Sequence, residues 1–92
     1  MIRSAKLRQF KISLNKNSHL KTVSDLKILE KGIIRGFTDH LLSVKLMEMG
    51  CLPGTEVLME LVAPLGDPLA IRVSGYYLSL RKDEAASIIL ED

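Results

Sequence analysis

Between Thr55 and Ser74, apolar and polar side chains trade places at nearly every step, and one stiff connection interrupts them, Pro64-Leu65-Gly66-Asp67-Pro68. A period of two turns one face to a core and the other to water, which is the pattern of paired strands. In the first run, Thr55 to Ala63, the residues Val57, Met59 and Leu61 share a face opposite Glu56 and Glu60. In the second, Leu69, Ile71 and Val73 alternate with Ala70, Arg72 and Ser74. Gly75 and Tyr76 then form a tight link to Tyr77-Leu78-Ser79-Leu80-Arg81, whose Leu78 and Leu80 point inward. These runs predict an antiparallel meander.

The flanking segments complete a small domain. Gly32 to Phe37 reads as a first strand, β-branched in the middle and bracketed by glycines. Before it, Val23, Leu26 and Leu29 predict a short turn or strand entering the domain. Thr38 or Asp39 can cap a helix in which Leu42, Leu46 and Met49 recur at helical spacing, widened by Leu41 and Met47. Asp39, Ser43, Lys45 and Glu48 are left for solvent. Gly50 suits the left-handed position that closes such a helix, with Cys51 packing back on Leu46. Leu52-Pro53-Gly54-Thr55 is a turn with proline second and glycine third. Lys82 to Ala86 suits one helical turn, and Ser87 to Glu91 a closing strand. The fold expected is mainly β: a small, partly open antiparallel barrel of about five strands with one α-helix between strands 1 and 2.

Ninety-two residues make a single small domain, burying roughly 60–65% of its unfolded surface, enough for one modest core but no deep cleft. Six of the thirteen basic residues precede Asp25, with no acid among them. From Asp25 onward seven basic residues face eleven acidic ones. Residues 1–22 therefore read as a basic extension, and residues 23–92 as the barrel. A solvated tail is the plain expectation for that extension; the sharper one is weak, non-specific contact with anionic membrane headgroups, at about 1 kcal/mol per basic side chain, or with nucleic-acid phosphates. Phe10, Ile12 and Leu14 alternate within it, while Leu7, Phe10 and Leu14 fit helical spacing, so its structure stays open. A single cysteine, no apolar leader core and no 18-residue apolar run point to a cytoplasmic protein, at most at the inner face of a membrane.

No reactive constellation is visible. His40 and Cys51 flank the predicted helix, about 16 Å apart at 1.5 Å per residue, so they cannot share one ion or form a dyad. Glu48 could approach Cys51, but two ligands of unlike hardness make a poor cage; His19 and scattered carboxylates are the other potential ligands. The phosphate-cradling G-x-x-x-x-G-K-[ST] pattern is missing. Asp83 and Glu84 read as a solvated helix cap. Two phenylalanines, two tyrosines and no tryptophan give too few platforms for a proline-rich peptide or single-stranded nucleic acid, and the acidic barrel gives no basic groove. No specific nucleic-acid partner and no catalytic residue is expected. What remains is surface: the stiff loop carrying Leu65, Gly66, Asp67 and Pro68, and the helix exit at Leu52 and Pro53, each a preorganised contact that loses little entropy on binding.

Three motifs in order bear on identity: Lys45-Leu46-Met47-Glu48-Met49-Gly50-Cys51-Leu52-Pro53-Gly54, then Ala63-Pro64-Leu65-Gly66-Asp67-Pro68, then Leu78-Ser79-Leu80-Arg81-Lys82-Asp83-Glu84-Ala85. With them, the stretch from about Leu26 to Leu90 resembles the FeoA family, small cytosolic partners of the bacterial ferrous-iron permease FeoB. The resemblance implies an SH3-like barrel and a non-enzymatic role in Fe(II) uptake through protein–protein contact with the permease. It also implies an alternative, a small transition-metal-binding regulator or carrier of Fe(II). No metal site is expected within the domain and no tightly bound cofactor, with weak or partner-completed Fe(II) binding as the exception. The same module is fused to metal-dependent repressors, but this chain carries no helix-turn-helix domain. The basic extension departs from the family pattern.

Overall fold

A computed structural model describes residues 20–91. The basic segment with its Phe10, Ile12 and Leu14 alternation, and His19, lies outside the described residues. After a single 3₁₀ turn at Val23–Asp25 come β1 (Lys31–Phe37), α1 (His40–Glu48), β2 (Glu56–Val62), β3 (Leu69–Val73), β4 (Tyr76–Leu80), α2 (Lys82–Ala86) and β5 (Ile88–Leu90). The strands form one antiparallel sheet in the order β4-β3-β2-β1-β5. This is the expected mainly β architecture, with one helix between the first two strands and a gap between the terminal strands that leaves the barrel partly open.

The inward faces of the meander supply the core. Val57, Met59, Ile71, Val73 and Leu80 are buried together with Ile34, Leu46, Cys51, Ile88 and Leu90. Helix α1 joins this core through Leu46, with Leu42 and Met49 packed beside it. Asp39 caps its start, accepting the Leu42 N–H at 3.0 Å. At its end the Gly50 N–H reaches the Met47 carbonyl at 3.0 Å and the Cys51 N–H reaches Leu46 at 2.9 Å. These reciprocal bonds require a left-handed residue, and Gly50 supplies it at φ 105. Cys51 is thereby turned into the core, as its place after the helix predicts.

Five local expectations need correction. The pairing of β2 with β3 slips between Met59 and Leu61, so two residues on β2 oppose one on β3. Such a bulge leaves Glu60 and Leu61 on the same side and restores the inward phase at Val62. Leu61, expected inside with Val57 and Met59, is 52% exposed, while Val62 packs on the core. On α1, Leu41 and Met47 are exposed and Ser43 is buried, its hydroxyl donating to the His40 carbonyl at 2.6 Å. The nine-residue helix touches the barrel along only one narrow stripe, too narrow for those flanking apolar positions. Tyr76 belongs to β4, paired with Val73, so the link is Ser74-Gly75, both at positive φ as a twisted two-residue hairpin demands. Leu29 is exposed, its N–H extending the ladder to the Met59 carbonyl at 2.6 Å. Glu84, expected in solvent, is buried.

The bulge makes a sharp prediction. Met59→Ala should cost about 2–5 kcal/mol in urea unfolding, whereas Leu61→Ala should cost less than about 0.5 kcal/mol. Equal losses would show that Leu61 shares the inward face.

Candidate functional site

The two surfaces singled out in the sequence are both built as closed turns. In the β2–β3 connection the Gly66 N–H meets the Ala63 carbonyl at 2.7 Å, and the Ala63 N–H meets the Pro68 carbonyl at 3.1 Å. The Asp67–Pro68 peptide bond is cis. Asp67 Oδ1 accepts the backbone N–H of Lys82 at 2.9 Å, tying the loop to the start of α2. Leu65 stands at the tip, 93% exposed. So within this loop Asp67 holds the shape and Leu65 is left to solvent.

At the helix exit the Thr55 N–H closes on the Leu52 carbonyl at 3.0 Å, the turn expected from proline and glycine at its centre. Gly54 N–H donates to Ile34 O at 2.7 Å and Ile34 N–H to Thr55 O at 2.9 Å, which pins the turn to β1. Leu52 and Pro53 face solvent. Beside them α1 exposes Leu41, Val44 and Met47, three residues apart and so along one side of the helix. That apolar stripe is not legible in the sequence, where Leu41 and Met47 are expected in the core and Val44 is given no face.

The structure does not merge the two turns into one spot. Leu52 and Pro53 precede β2, whereas Leu65 to Pro68 follow it, and a seven-residue strand spans about 20 Å. A standard interface of about 800 Å² per partner is wide enough to reach both. Leu61, turned outward by the bulge, adds an apolar side chain on the strand leading to the Leu65 loop.

No titratable cluster forms a reaction centre among the described residues. No group of three His, Cys, Asp or Glu side chains converges there as a metal cage would require. His40 is exposed, and Cys51 is buried, with desolvation pushing its thiol up. A shallow depression lined by Asp67, Arg81, Lys82, Asp83 and Ala86 carries charges of both signs and selects neither. The one buried acid among the described residues has a structural task. Glu84 accepts Lys45 Nζ at 2.6 Å and the Arg81 N–H at 2.9 Å, joining α1 to α2. The Lys45 contact first, then the Arg81 N–H, holds its carboxyl below the ordinary range. Its position three residues past Arg81, at the start of a helical turn, is a capping signal legible in the chain.

With this geometry in place, comparison with known proteins is decisive. The FeoA domain model matches residues 21–92. The chain belongs to the FeoA family. A FeoA-like protein from Clostridium acetobutylicum, solved by NMR, is 41% identical, with a TM-score of 0.71 over 76% of this chain and 83% of that one. FeoA from Chlorobium tepidum is 26% identical, TM-score 0.71, over 77% and 69%. FeoA from Stenotrophomonas maltophilia, crystallised with zinc and described as a prokaryotic SH3 domain protein, is also 26% identical, TM-score 0.69, over 77% and 89%. That relative was proposed as a ferrous iron transport activating factor. The FeoA family is associated with ferrous iron transport, and the barrel is SH3-like. No helix among the described residues is long and apolar enough to cross a membrane.

Glu84 gives the pH prediction. A carboxyl lowered in the native state adds stability that is complete above its unfolded value and is lost as pH falls through its folded one. The protein should therefore weaken in acid below about pH 4.5. Glu84→Gln should cost about 1–2 kcal/mol at neutral pH and flatten that acid slope in denaturant titrations. Glu30, lowered chiefly by Lys21, leaves a residual slope of the same sign.

Proposed function

We propose that this FeoA-family protein is a non-enzymatic accessory factor of ferrous iron uptake that docks on the cytosolic part of a FeoB-type permease. One observation carries the reading: Leu65 is presented almost fully to solvent by a loop whose backbone is closed on itself and anchored to α2 through Asp67. An apolar side chain held that way loses contact with water on binding and gives up little conformational freedom. Leu65, Gly66, Asp67 and Pro68 form one end of the docking surface; Leu52 and Pro53, extended by Leu41, Val44 and Met47, form the other. Catalysis is left to the partner, because no titratable side chains converge as a reaction centre among the described residues. The basic segment before Thr22 adds weak attraction to anionic headgroups at the inner face of the membrane.

A second reading is favoured by one observation, the zinc carried by the Stenotrophomonas maltophilia relative. In it this chain is a transition-metal-binding regulator or carrier of Fe(II), with ligands completed by a partner. Anaerobic titration calorimetry with Fe(II) separates the two. Stoichiometric sub-micromolar binding by the isolated chain would displace the docking model.

Leu65→Glu and Leu52→Glu, tested singly, should each reduce co-purification with the permease about tenfold or more. Both sites are exposed, so unfolding free energies should stay within about 0.5 kcal/mol of wild type. Wild-type recovery of the complex with both variants would overturn the reading.

A further inference from the structure

The two terminal strands of the sheet are treated differently. The outer edge of β5 is covered by the incoming chain: Thr22 bridges to Ile89, and the Leu90 N–H donates to Lys21 O at 2.9 Å. Along β4, among the described residues, no strand pairs with the outer edge. Exposed edges are ordinarily blunted by a lysine, a proline or a bulge. The strand Tyr76-Tyr77-Leu78-Ser79-Leu80 has none of these, and its pairing with β3 is regular throughout.

The hairpin fixes which backbone groups lie open. Counting from the Ser74-Gly75 turn, the bonded pairs are Val73–Tyr76, Ile71–Leu78 and Leu69–Leu80. The N–H and C=O groups of Tyr77 and Ser79 therefore point away from β3. The next outward donor along the chain, the N–H of Arg81, is already taken by Glu84 Oε1 at 2.9 Å. Tyr77 and Ser79 are the open positions of this edge.

We infer that β4 is a self-pairing edge, and that two copies of this chain join their β4 strands antiparallel across a two-fold axis at Leu78. In that register Tyr77 of each copy faces Ser79 of the other, and each N–H meets the opposing C=O. Centring the pair on Tyr77 instead would set Ser79 against Gly75, a turn residue. Centring it on Ser79 would set Tyr77 against Arg81, whose N–H is committed. Only the Leu78 register uses every open group. It also brings the two half-buried Leu78 side chains together and lays each Tyr76 against the opposite Leu80, with no like charges facing one another. Tyr77 is held on the outer face, its ring 5.7 Å from the Arg72 guanidinium, which Glu60 anchors at 2.7 Å. The contact is isologous and closes at two copies.

The test uses the whole 92-residue chain. Sedimentation velocity from roughly 10 µM to roughly 1 mM should show a monomer–dimer equilibrium. Over the same range, amide exchange at Tyr77 and Ser79 should slow with concentration. Ser79→Pro removes one edge donor that β3 does not use, so the hairpin survives and association weakens about tenfold or more. Were this variant to unfold, the exchange data on the wild-type chain still decide the matter. A chain that stays monomeric, amides at Tyr77 and Ser79 that exchange equally fast at both extremes, or a dimer indifferent to Ser79→Pro in the folded variant would each overturn the inference.

Discussion

Everything in this molecule depends on the seam between β2 and β3, where Val57 and Met59 lie opposite Val73 and Ile71 with no access to water. Taking these side chains out of solvent is the main favourable term, and the hydrogen-bonded ladder sets their spacing. β2 pairs with β1 on its other side, so the strand that carries much of the core is also the central strand of the sheet. The remaining elements attach to this seam. Leu46 brings α1 onto it, and Ile88 and Leu90 close it from the far side of β1.

The surface follows from how little is left over. A barrel this small spends most of its apolar residues inside, so those that remain outside stand out by position. Leu65 sits on a closed loop, Leu52 on a closed turn, and Leu61 on the outward side of a bulge. Each is fixed by backbone bonds and not by side-chain packing, which suits recognition by shape. Glu84 and Lys45 then couple the helix bearing one surface to the short helix against which the Asp67 loop is anchored. The two ends of the proposed docking surface are thus parts of one frame.

The strand pattern, the helix and its glycine stop, and the Leu52-Pro53-Gly54-Thr55 turn were legible because each rests on local chemistry: side-chain period, a left-handed residue, a fixed proline φ. Leu61 was not legible, because a bulge is decided by the opposing strand, here by Ala70 and Ile71 sharing the span of three β2 residues. Ser43 and Leu41 were exchanged between core and solvent for a related reason. Helical periodicity gives the angle between side chains but not the direction of the barrel. The loop Pro64–Pro68 was recognised as stiff, yet the role of Asp67 depends on Lys82, fifteen positions away and invisible to local reading. Glu84 could have been found from its spacing to Arg81; its partner Lys45, thirty-nine positions earlier, could not.

The closing turn of α1 has one more effect. By folding back after Gly50 it seals the only sulfhydryl of the chain inside hydrocarbon, where burial disfavours the thiolate. Peroxide attacks thiolates, and ferrous iron turns peroxide into more aggressive oxidants. A protein of an iron-handling family that keeps its lone sulfur neutral and shielded is chemically quiet in the company it keeps.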